Sequence, residues 1–273
     1  MLARTGLQGS AVSDDNLQEF NKSLDWRTGY PLPDGRYIGW SETEFKNGHA
    51  RFEPGTDPRV QAVIDHFQPN GKVILELGSC EGVLTVQLAG ICAKVVAVEV
   101  RPQNITNALT RLYLHGINNY EVHLMDARDV DEKFGRFDVL FHSGLLYHLP
   151  NPAEHLYKVS RVSDALLLCT QYGNLSGFFE PTQVEFGGRS YAGYIYNEGG
   201  WSEPLAGVEN YGVWLQREAL LELVKDVGFS KIEIVSDEQN IEIEAGDQKY
   251  IGHQLCLIAS RKPSRWRRFF SFG

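Results

Sequence analysis

The sequence has few cysteines and no excess of positive charge. Its four cysteines, at positions 80, 92, 169 and 256, form no CxxC pair and no Cys/His cluster with zinc spacing. We therefore expect no metal site, and we expect reduced thiols in a reducing compartment. The net charge of −9 over 273 residues disfavours a large non-specific nucleic-acid surface, although a local basic patch remains compatible with it.

The sequence also lacks the long apolar segments that target a protein to a membrane or anchor it there. The N-terminus contains no signal-peptide core, and the longest internal apolar run, ALLLC, is far too short to span a bilayer. We expect a cytoplasmic protein.

The C-terminal tail, RKPSRWRRFFSFG, departs from the acidic balance, because it carries five of the 26 Lys and Arg residues. Its aromatic rings are interleaved with cationic side chains, a combination that suits an anionic membrane surface or RNA. The simpler alternative is a frayed terminus. From residues 263–273 we expect at most a weak, salt-sensitive membrane contact.

Apolar runs alternate with helical periods from about residue 60 onwards. Strands are predicted at 73–77, 94–100, 120–125, 137–142, 165–170, 231–236 and 253–260. Helices are predicted at 81–90, 102–115, 151–162 and around 220–227. This alternation is typical of a parallel α/β sheet with helices on both faces, and the last two strands should pair antiparallel because no helix fits between them.

The predicted fold is therefore one seven-stranded α/β core domain with an N-terminal extension, an insertion and a basic tail. Residues 1–58 form a polar N-terminal extension, residues 59–262 the core domain, and residues 263–273 the basic tail. An insertion, 171–213, follows the fifth strand. It is rich in Gly, Tyr, Phe and Trp and has no helical period.

A turn with two glycines, Gly78-Ser-Cys-Glu-Gly82, follows the first predicted strand. Ligands of open parallel sheets bind at the carboxyl ends of the strands, so this turn is a candidate binding site. The phosphate-loop pattern GxxxxGK[ST] is absent, and a dinucleotide GxGxxG frame would need glycines at positions 80 and 83, where the chain has Cys and Val. Neither a phosphate loop nor a dinucleotide site fits.

Two carboxylates flank this turn. Glu76 precedes it and would repel a pyrophosphate but attract an ammonium group, and Glu99 ends the second strand, where a carboxylate can accept hydrogen bonds from both hydroxyls of a ribose. A cofactor with a ribose and an amino-acid tail fits these charges, and S-adenosylmethionine (SAM) is such a molecule. Alternatively, each carboxylate is only a structural polar residue.

Four segments carry a family resemblance: ILELGSCEG, VVAVEV, LMDARDV and FDVLFHSGLLYHLPNP. They resemble the successive motifs of class I SAM-dependent methyltransferases. The similarity covers residues 60–172 well and 211–260 more loosely. It implies a Rossmann-like methyltransferase sheet of seven strands with an antiparallel last strand, and SAM as the cofactor.

The resemblance also implies roles for individual residues. The glycine turn would hold the methionine part of SAM, Glu99 the ribose, and Asp126 with Ala127 the adenine edge. The implied cofactor-binding residues are Glu76, Gly78, Ser79, Gly82, Glu99, Asp126, Ala127, Ser143 and Tyr147. Cys80 replaces the usual middle glycine.

The segment SGLLYHLPNP is most similar to the branch that contains the tRNA wobble-uridine carboxymethyltransferase. In that enzyme the tyrosine matching Tyr147 contacts the extra carboxylate of a carboxylated cofactor, and the residue matching Ser143 also lies at the cofactor. The other carboxylate-binding residues have no counterpart by motif, so we expect ordinary SAM.

Methyl transfer to a hydroxyl requires an aligned nucleophile and removal of its proton. The candidates for the proton acceptor are His142, Tyr147 and His148, which lie at or just past the end of the fourth strand. We predict His148 as the general base, because a neutral imidazole can take the proton. Alternatively, His148 bonds the backbone and fixes its turn, His142 is a polar strand end, and Tyr147 is a wall of the cofactor pocket.

The acceptor substrate stays open at this stage. The aromatic insertion suits a lid over a substrate, with Tyr37 and Trp40 closing the other side, or it is an ordinary surface hairpin. Its aromatic rings and the acidic balance favour O-methylation of a small-molecule or glycan hydroxyl. The alternatives are tRNA modification and a non-catalytic SAM-binding module. No feature indicates the oligomeric state.

Overall fold

The computed structural model describes residues 12–39, 55–173, 180–203, 205–245 and 248–261. The α-helices there are α1 (Asp14–Ser23), α2 (Pro58–Phe67), α3 (Val83–Ala89), α4 (Pro102–Leu114), α5 (Pro152–Val159) and α6 (Arg217–Asp226). The strands are β1 (Tyr30–Pro31), β2 (Tyr37–Ile38), β3 (Val73–Leu77), β4 (Lys94–Glu99), β5 (Tyr120–Leu124), β6 (Val139–Ser143), β7 (Ala165–Tyr172), β8 (Glu180–Phe186), β9 (Arg189–Asn197), β10 (Tyr211–Leu215), β11 (Lys231–Ala245) and β12 (Gln248–Ser260).

Seven of these strands form one sheet in the order β11-β12-β7-β6-β3-β4-β5. The pairs β3–β4, β4–β5 and β6–β7 are parallel, whereas β12 pairs antiparallel with both β7 and β11. The predicted fold class, a Rossmann-like α/β sheet with an antiparallel last strand, is confirmed. The chain divides into two compact units, residues 1–129 and 130–273.

In the first unit, β3 and β4 are continuous apolar runs because helices cover a parallel sheet on both faces. Their side chains from Ile74 to Leu77 and from Val95 to Glu99 are buried. Helix α3 begins after Gly82, whose φ of +76° is left-handed. A Cβ on Gly82 would lie 3.0 Å from the Cβ of Ala108 on α4, so both the backbone angle and the close helix approach require glycine here.

The N-terminal extension contains more regular structure than its polar, turn-rich sequence predicts. Ser13 caps α1 by accepting a hydrogen bond from the backbone nitrogen of Asn16. β1 and β2 then form a short antiparallel pair. An apolar cluster holds this segment together, and its buried members are Leu17, Trp26, Leu32 and Ile38.

In the second unit, the antiparallel pairing of β7 with β12 sets Cys169 directly opposite Cys256, and a disulfide joins them. The expectation of reduced thiols is wrong for this pair. The two residues lie 87 positions apart, so no local spacing revealed that the sheet would place them side by side. The cysteine argument for a reducing compartment therefore fails. Cys80 and Cys92 are free thiols.

The insertion after β7 folds into a three-stranded antiparallel sheet in the order β10-β9-β8. Gly187 and Gly188, with φ of +60° and +77°, form the two-residue turn between β8 and β9. Tyr194, Tyr196 and Trp214 are buried on one face of the sheet. Residues 174–179 and 204 of the insertion lie outside the described residues, and its predicted role as a lid remains a prediction.

All seven predicted strands are present, but the last two are longer than predicted. The polar stretch 237–250 was predicted to connect them, whereas most of it continues the strand pair as an extended hairpin. No helix in the described ranges is long and apolar enough to cross a membrane. The predicted membrane tail, 263–273, and Trp40 lie outside the described residues.

Candidate functional site

The turn after β3 is held in an unusual backbone conformation. Gly78, Cys80 and Gly82 all have positive φ, of +70°, +50° and +76°. The left-handed region is costly for a residue with a Cβ, so Cys80 carries local strain that a glycine would avoid. The backbone nitrogens of Gly78 and Ser79 both donate to the carbonyl oxygen of Val98 on β4. The turn is thereby fixed against the next strand.

The side chain of Glu99, at the end of β4, also holds this turn in place through a hydrogen bond. One carboxylate oxygen accepts from the backbone nitrogen of Cys80 at 2.9 Å. The other accepts from the backbone nitrogen of Arg101 at 2.9 Å and from the amide of Asn104 at 3.3 Å. Glu99 is only 6% exposed. The structure thus brings together Glu99 and the glycine turn.

Glu76, on β3, is a buried carboxyl group with one polar contact from the side chain of Thr85, whose hydroxyl donates to it at 2.6 Å. Burial raises the pKa of Glu76 to about 8, although the Thr85 hydrogen bond and the charge of Arg59 partly offset this rise. Near neutral pH the group is therefore mostly protonated. A cation placed beside it would favour the ionised form.

Asp126 and Ala127 follow β5. Burial alone would raise the pKa of Asp126, but hydrogen bonds and charge from Arg128 outweigh it and lower the pKa. The guanidinium of Arg128 lies 2.6 Å from the Asp126 carboxylate, and its backbone nitrogen donates to the same group at 2.8 Å. Ala127 is buried at the start of a short 3-10 turn, Ala127–Asp129.

In the second unit, His142 on β6 is fully buried. Its Nε2 lies 2.9 Å from Nε2 of His155 on α5, and burial lowers the pKa of His142 to about 4. A side chain enclosed in this way cannot reach an external hydroxyl, so His142 is a core residue and not a proton acceptor for a substrate. Ser143, the last residue of β6, is also buried.

His148 lies in a short 3-10 turn, Leu146–His148, and forms a close pair with Glu198. Its Nδ1 is 2.7 Å from one oxygen of the Glu198 carboxylate. The other oxygen accepts from the backbone nitrogen of Gly207 at 3.1 Å. The Glu198 side chain is 2% exposed and that of His148 is 14% exposed. Because Glu198 binds Nδ1–H, the neutral ring presents its Nε2 lone pair as a proton acceptor.

No sequence pattern indicates Glu198 as the partner of His148. Glu198 follows β9 in the insertion, 50 positions after His148, and the alternative considered for His148 was a backbone hydrogen bond that fixes its turn. The ring of Tyr147 lies 4.1 Å from that of His148 and meets Trp214 edge-on at 5.8 Å. On the same side of β10, a Cβ on Gly212 would lie 2.9 Å from the carbonyl carbon of His148, so only glycine allows this approach.

The chain is similar to a methyltransferase domain family and to solved structures determined with SAH. A family model described as a methyltransferase domain matches residues 69–185. The crystal structure of the N-terminal domain of EvdMO1 with SAH bound is 26% identical, with a TM-score of 0.71, and the match covers 93% of this chain and 100% of that one. A second structure of that domain, determined in the presence of SAH and D-fucose, is 25% identical with a TM-score of 0.70 over the same shares.

A curated relative extends the comparison to an O-methyltransferase. The chain is 28% identical over 95 residues to the ubiquinone biosynthesis O-methyltransferase of Nitrosococcus oceani. The match covers 35% of this chain and 40% of that relative, so the chain spans less than half the length of the curated relative. It also covers 47% of the longer EvdMO1 structure, with a TM-score of 0.59.

Proposed function

We propose that this chain, which carries a SAM-dependent methyltransferase domain, methylates a hydroxyl oxygen of a small molecule or glycan. The His148–Glu198 pair carries this proposal, because a hydroxyl nucleophile must lose its proton during methyl transfer. A non-catalytic SAM-binding module has no need of an imidazole held by a buried carboxylate.

The first unit offers a site that fits the cofactor. Glu76 is a buried carboxyl whose ionised form would be favoured by a cation beside it, which suits the ammonium group of an amino acid. Glu99 fixes the glycine turn and suits the hydroxyls of a ribose. Asp126 and Ala127 would then lie against the adenine, and the family resemblance adds Ser143 and Tyr147 as proposed contacts. When bound, SAM supplies an activated methyl group on a sulfonium.

His148 would act on the acceptor hydroxyl. Its Nε2 would take the hydroxyl proton and the ring would become an imidazolium, while bound SAM would supply the methyl group and leave as SAH. The carboxylate of Glu198 stabilises that positive charge and holds the ring in the tautomer that accepts at Nε2. The buried position of Glu198 strengthens this effect, because few water molecules screen the pair.

Two further observations favour a small-molecule or glycan acceptor over tRNA. The net charge of −9 works against binding a polyanion. The relatives include a ubiquinone biosynthesis O-methyltransferase and a domain studied in the presence of D-fucose. The likeness of SGLLYHLPNP to the wobble-uridine carboxymethyltransferase keeps tRNA modification as the second candidate.

The test is to compare His148→Ala and Glu198→Gln with the wild type in SAH formation from SAM, using D-fucose, a panel of phenols and unmodified tRNA as acceptors. We expect His148→Ala to lower kcat by about 100-fold or more while SAM affinity changes little. His123→Ala is the matched control, because His123 also pairs with a glutamate, Glu121 at 2.8 Å, on the exposed strand β5. A kcat within a few-fold of wild type, combined with a lower melting temperature, would show that His148 is only structural.

A further inference from the structure

A concave surface lies on the three-stranded sheet of the insertion. It has a volume of about 470 Å³, within the size range of small-molecule sites, and it opens between the three-stranded sheet and the start of α5. Its apolar lining residues are Pro150, Val184, Ile195 and Val213. Its polar lining residues are Asn151, Thr182, Gln183, Glu185, Asn197, Asn210 and Tyr211.

This pocket and His148 lie on opposite faces of β10. Successive side chains of a strand point to opposite faces. Gly212 faces the backbone of His148, so its neighbours Tyr211 and Val213 face the other way, into the pocket. Tyr211 is directly opposite Asn197 in the β10–β9 pairing, which places these two side chains next to each other on the pocket face. The pocket is therefore a separate site.

The chemistry of the lining is that of a site for a neutral, polyhydroxylated ligand. Four lining residues carry amides, which donate and accept hydrogen bonds as a sugar hydroxyl does, although the side-chain oxygens of Asn151 and Gln183 already accept one each, from the backbone nitrogen of Glu154 and the hydroxyl of Ser190. The lining contains one carboxylate, Glu185, and no lysine or arginine, which opposes a phosphate or a carboxylate ligand. Tyr211 is 43% exposed, and its ring, with the apolar lining residues, offers a surface for the C–H face of a pyranose.

We propose that this pocket is a binding site for a neutral carbohydrate. The pocket would hold a sugar unit away from the reach of His148. Sugar binding here is therefore a function additional to the proposed methyl transfer and does not depend on that transfer. A glycan bound here would be retained on the protein independently of the sugar that is methylated.

The test is saturation-transfer NMR of the whole chain with D-glucose, D-fucose, lactose, maltose and cellobiose, and with glucose 6-phosphate as the anionic comparison. We expect at least one neutral sugar to bind, and glucose 6-phosphate to bind more weakly than glucose. Tyr211→Ala and Asn197→Leu should each weaken binding by about ten-fold, the loss of one ring contact or one hydrogen bond. Tyr113→Ala, which removes an exposed tyrosine of α4, is the matched control.

His148→Ala separates this inference from the proposed function. Binding to the pocket should survive that substitution even where methyl transfer is lost. The inference is overturned if no neutral sugar binds, if glucose 6-phosphate binds better than glucose, or if correctly folded Tyr211→Ala and Asn197→Leu proteins bind as the wild type does. Loss of sugar binding only in His148→Ala would also overturn the inference, because that result would place the bound sugar at the His148–Glu198 pair.

Discussion

The carboxylate of Glu81 accepts hydrogen bonds from both the backbone nitrogen and the hydroxyl of Thr28, at 2.8 and 2.6 Å. It also accepts from the backbone nitrogen of Arg27 at 2.7 Å and from the amide of Asn107 at 2.8 Å. Arg111, also fully buried, donates to the carbonyl oxygens of Glu81 and Thr28. Because Glu81 belongs to the glycine turn, this network ties the N-terminal segment to the proposed cofactor site.

Glu81→Ala should lower the free energy of unfolding by about 3–5 kcal/mol, because it leaves the buried guanidinium of Arg111 without its nearest negative charge. Urea denaturation measures this loss. Asp25→Ala is the control, since Asp25 pairs with Arg27 in a solvent-exposed position and its removal should cost at most about 1 kcal/mol. A loss at Glu81 no larger than that of the control would show that the network contributes little.

Glu99→Gln should weaken the binding of SAH by about 10- to 100-fold. The amide can no longer accept hydrogen bonds on both sides, so the turn at Cys80 loses its anchor and the ribose loses a charged acceptor. Isothermal titration calorimetry gives the dissociation constant. Glu121→Gln, an exposed carboxylate of β5, should leave that constant unchanged. An unchanged constant for Glu99→Gln would contradict the ribose assignment.

The binding of SAH should release a proton from Glu76. The pKa of Glu76 is about 8 without a ligand, so the group is mostly protonated at pH 7, and an ammonium group beside it would lower that pKa. Binding linked to deprotonation strengthens as pH rises towards 8 and levels off above it. The ligand amine also titrates, so Glu76→Gln is the reference that isolates the carboxyl group.

Calorimetry in two buffers of different ionisation enthalpy counts the released protons. We expect a larger release for the wild type than for Glu76→Gln at pH 7. Equal release in the two proteins would show that the ammonium group does not lie beside Glu76.

The sheet was predictable from the sequence because parallel strands are nearly continuous apolar runs, as in VILEL and KVVAVEV. Glu76 and Glu99 were predictable from the same apolar runs, because Glu76 interrupts the first run and Glu99 lies near the end of the second. Glu198 could not, because no local pattern links a glutamate at the end of β9 to a histidine 50 positions earlier. That pairing is set by tertiary packing of the insertion, in which Gly207 and Gly212 allow close approach to the turn at His148.

Glu81 illustrates a second limit. In the sequence it is one polar residue in a turn, and its partners at positions 27, 28, 107 and 111 are scattered over two separate segments. Only the folded chain shows that backbone nitrogens and a hydroxyl of the N-terminal segment donate hydrogen bonds to Glu81. A charged group can be buried where such partners surround it, and no periodic pattern in the sequence indicates where that happens.

The disulfide between Cys169 and Cys256 yields the last prediction. A covalent bond between residues 87 positions apart restricts the unfolded chain, so reduction should lower the free energy of unfolding by about 2–4 kcal/mol. Cys169→Ser should have a similar effect, whereas Cys92→Ser, which removes a free thiol, should leave the response to reductant intact. Urea denaturation with and without dithiothreitol measures the difference.

A thiol titration of the unfolded chain checks the pairing directly. Two thiols, those of Cys80 and Cys92, should react before reduction, and all four cysteines should react after it. Four reactive thiols in protein that has never been reduced would show that β7 and β12 are held together by their hydrogen bonds and packing alone.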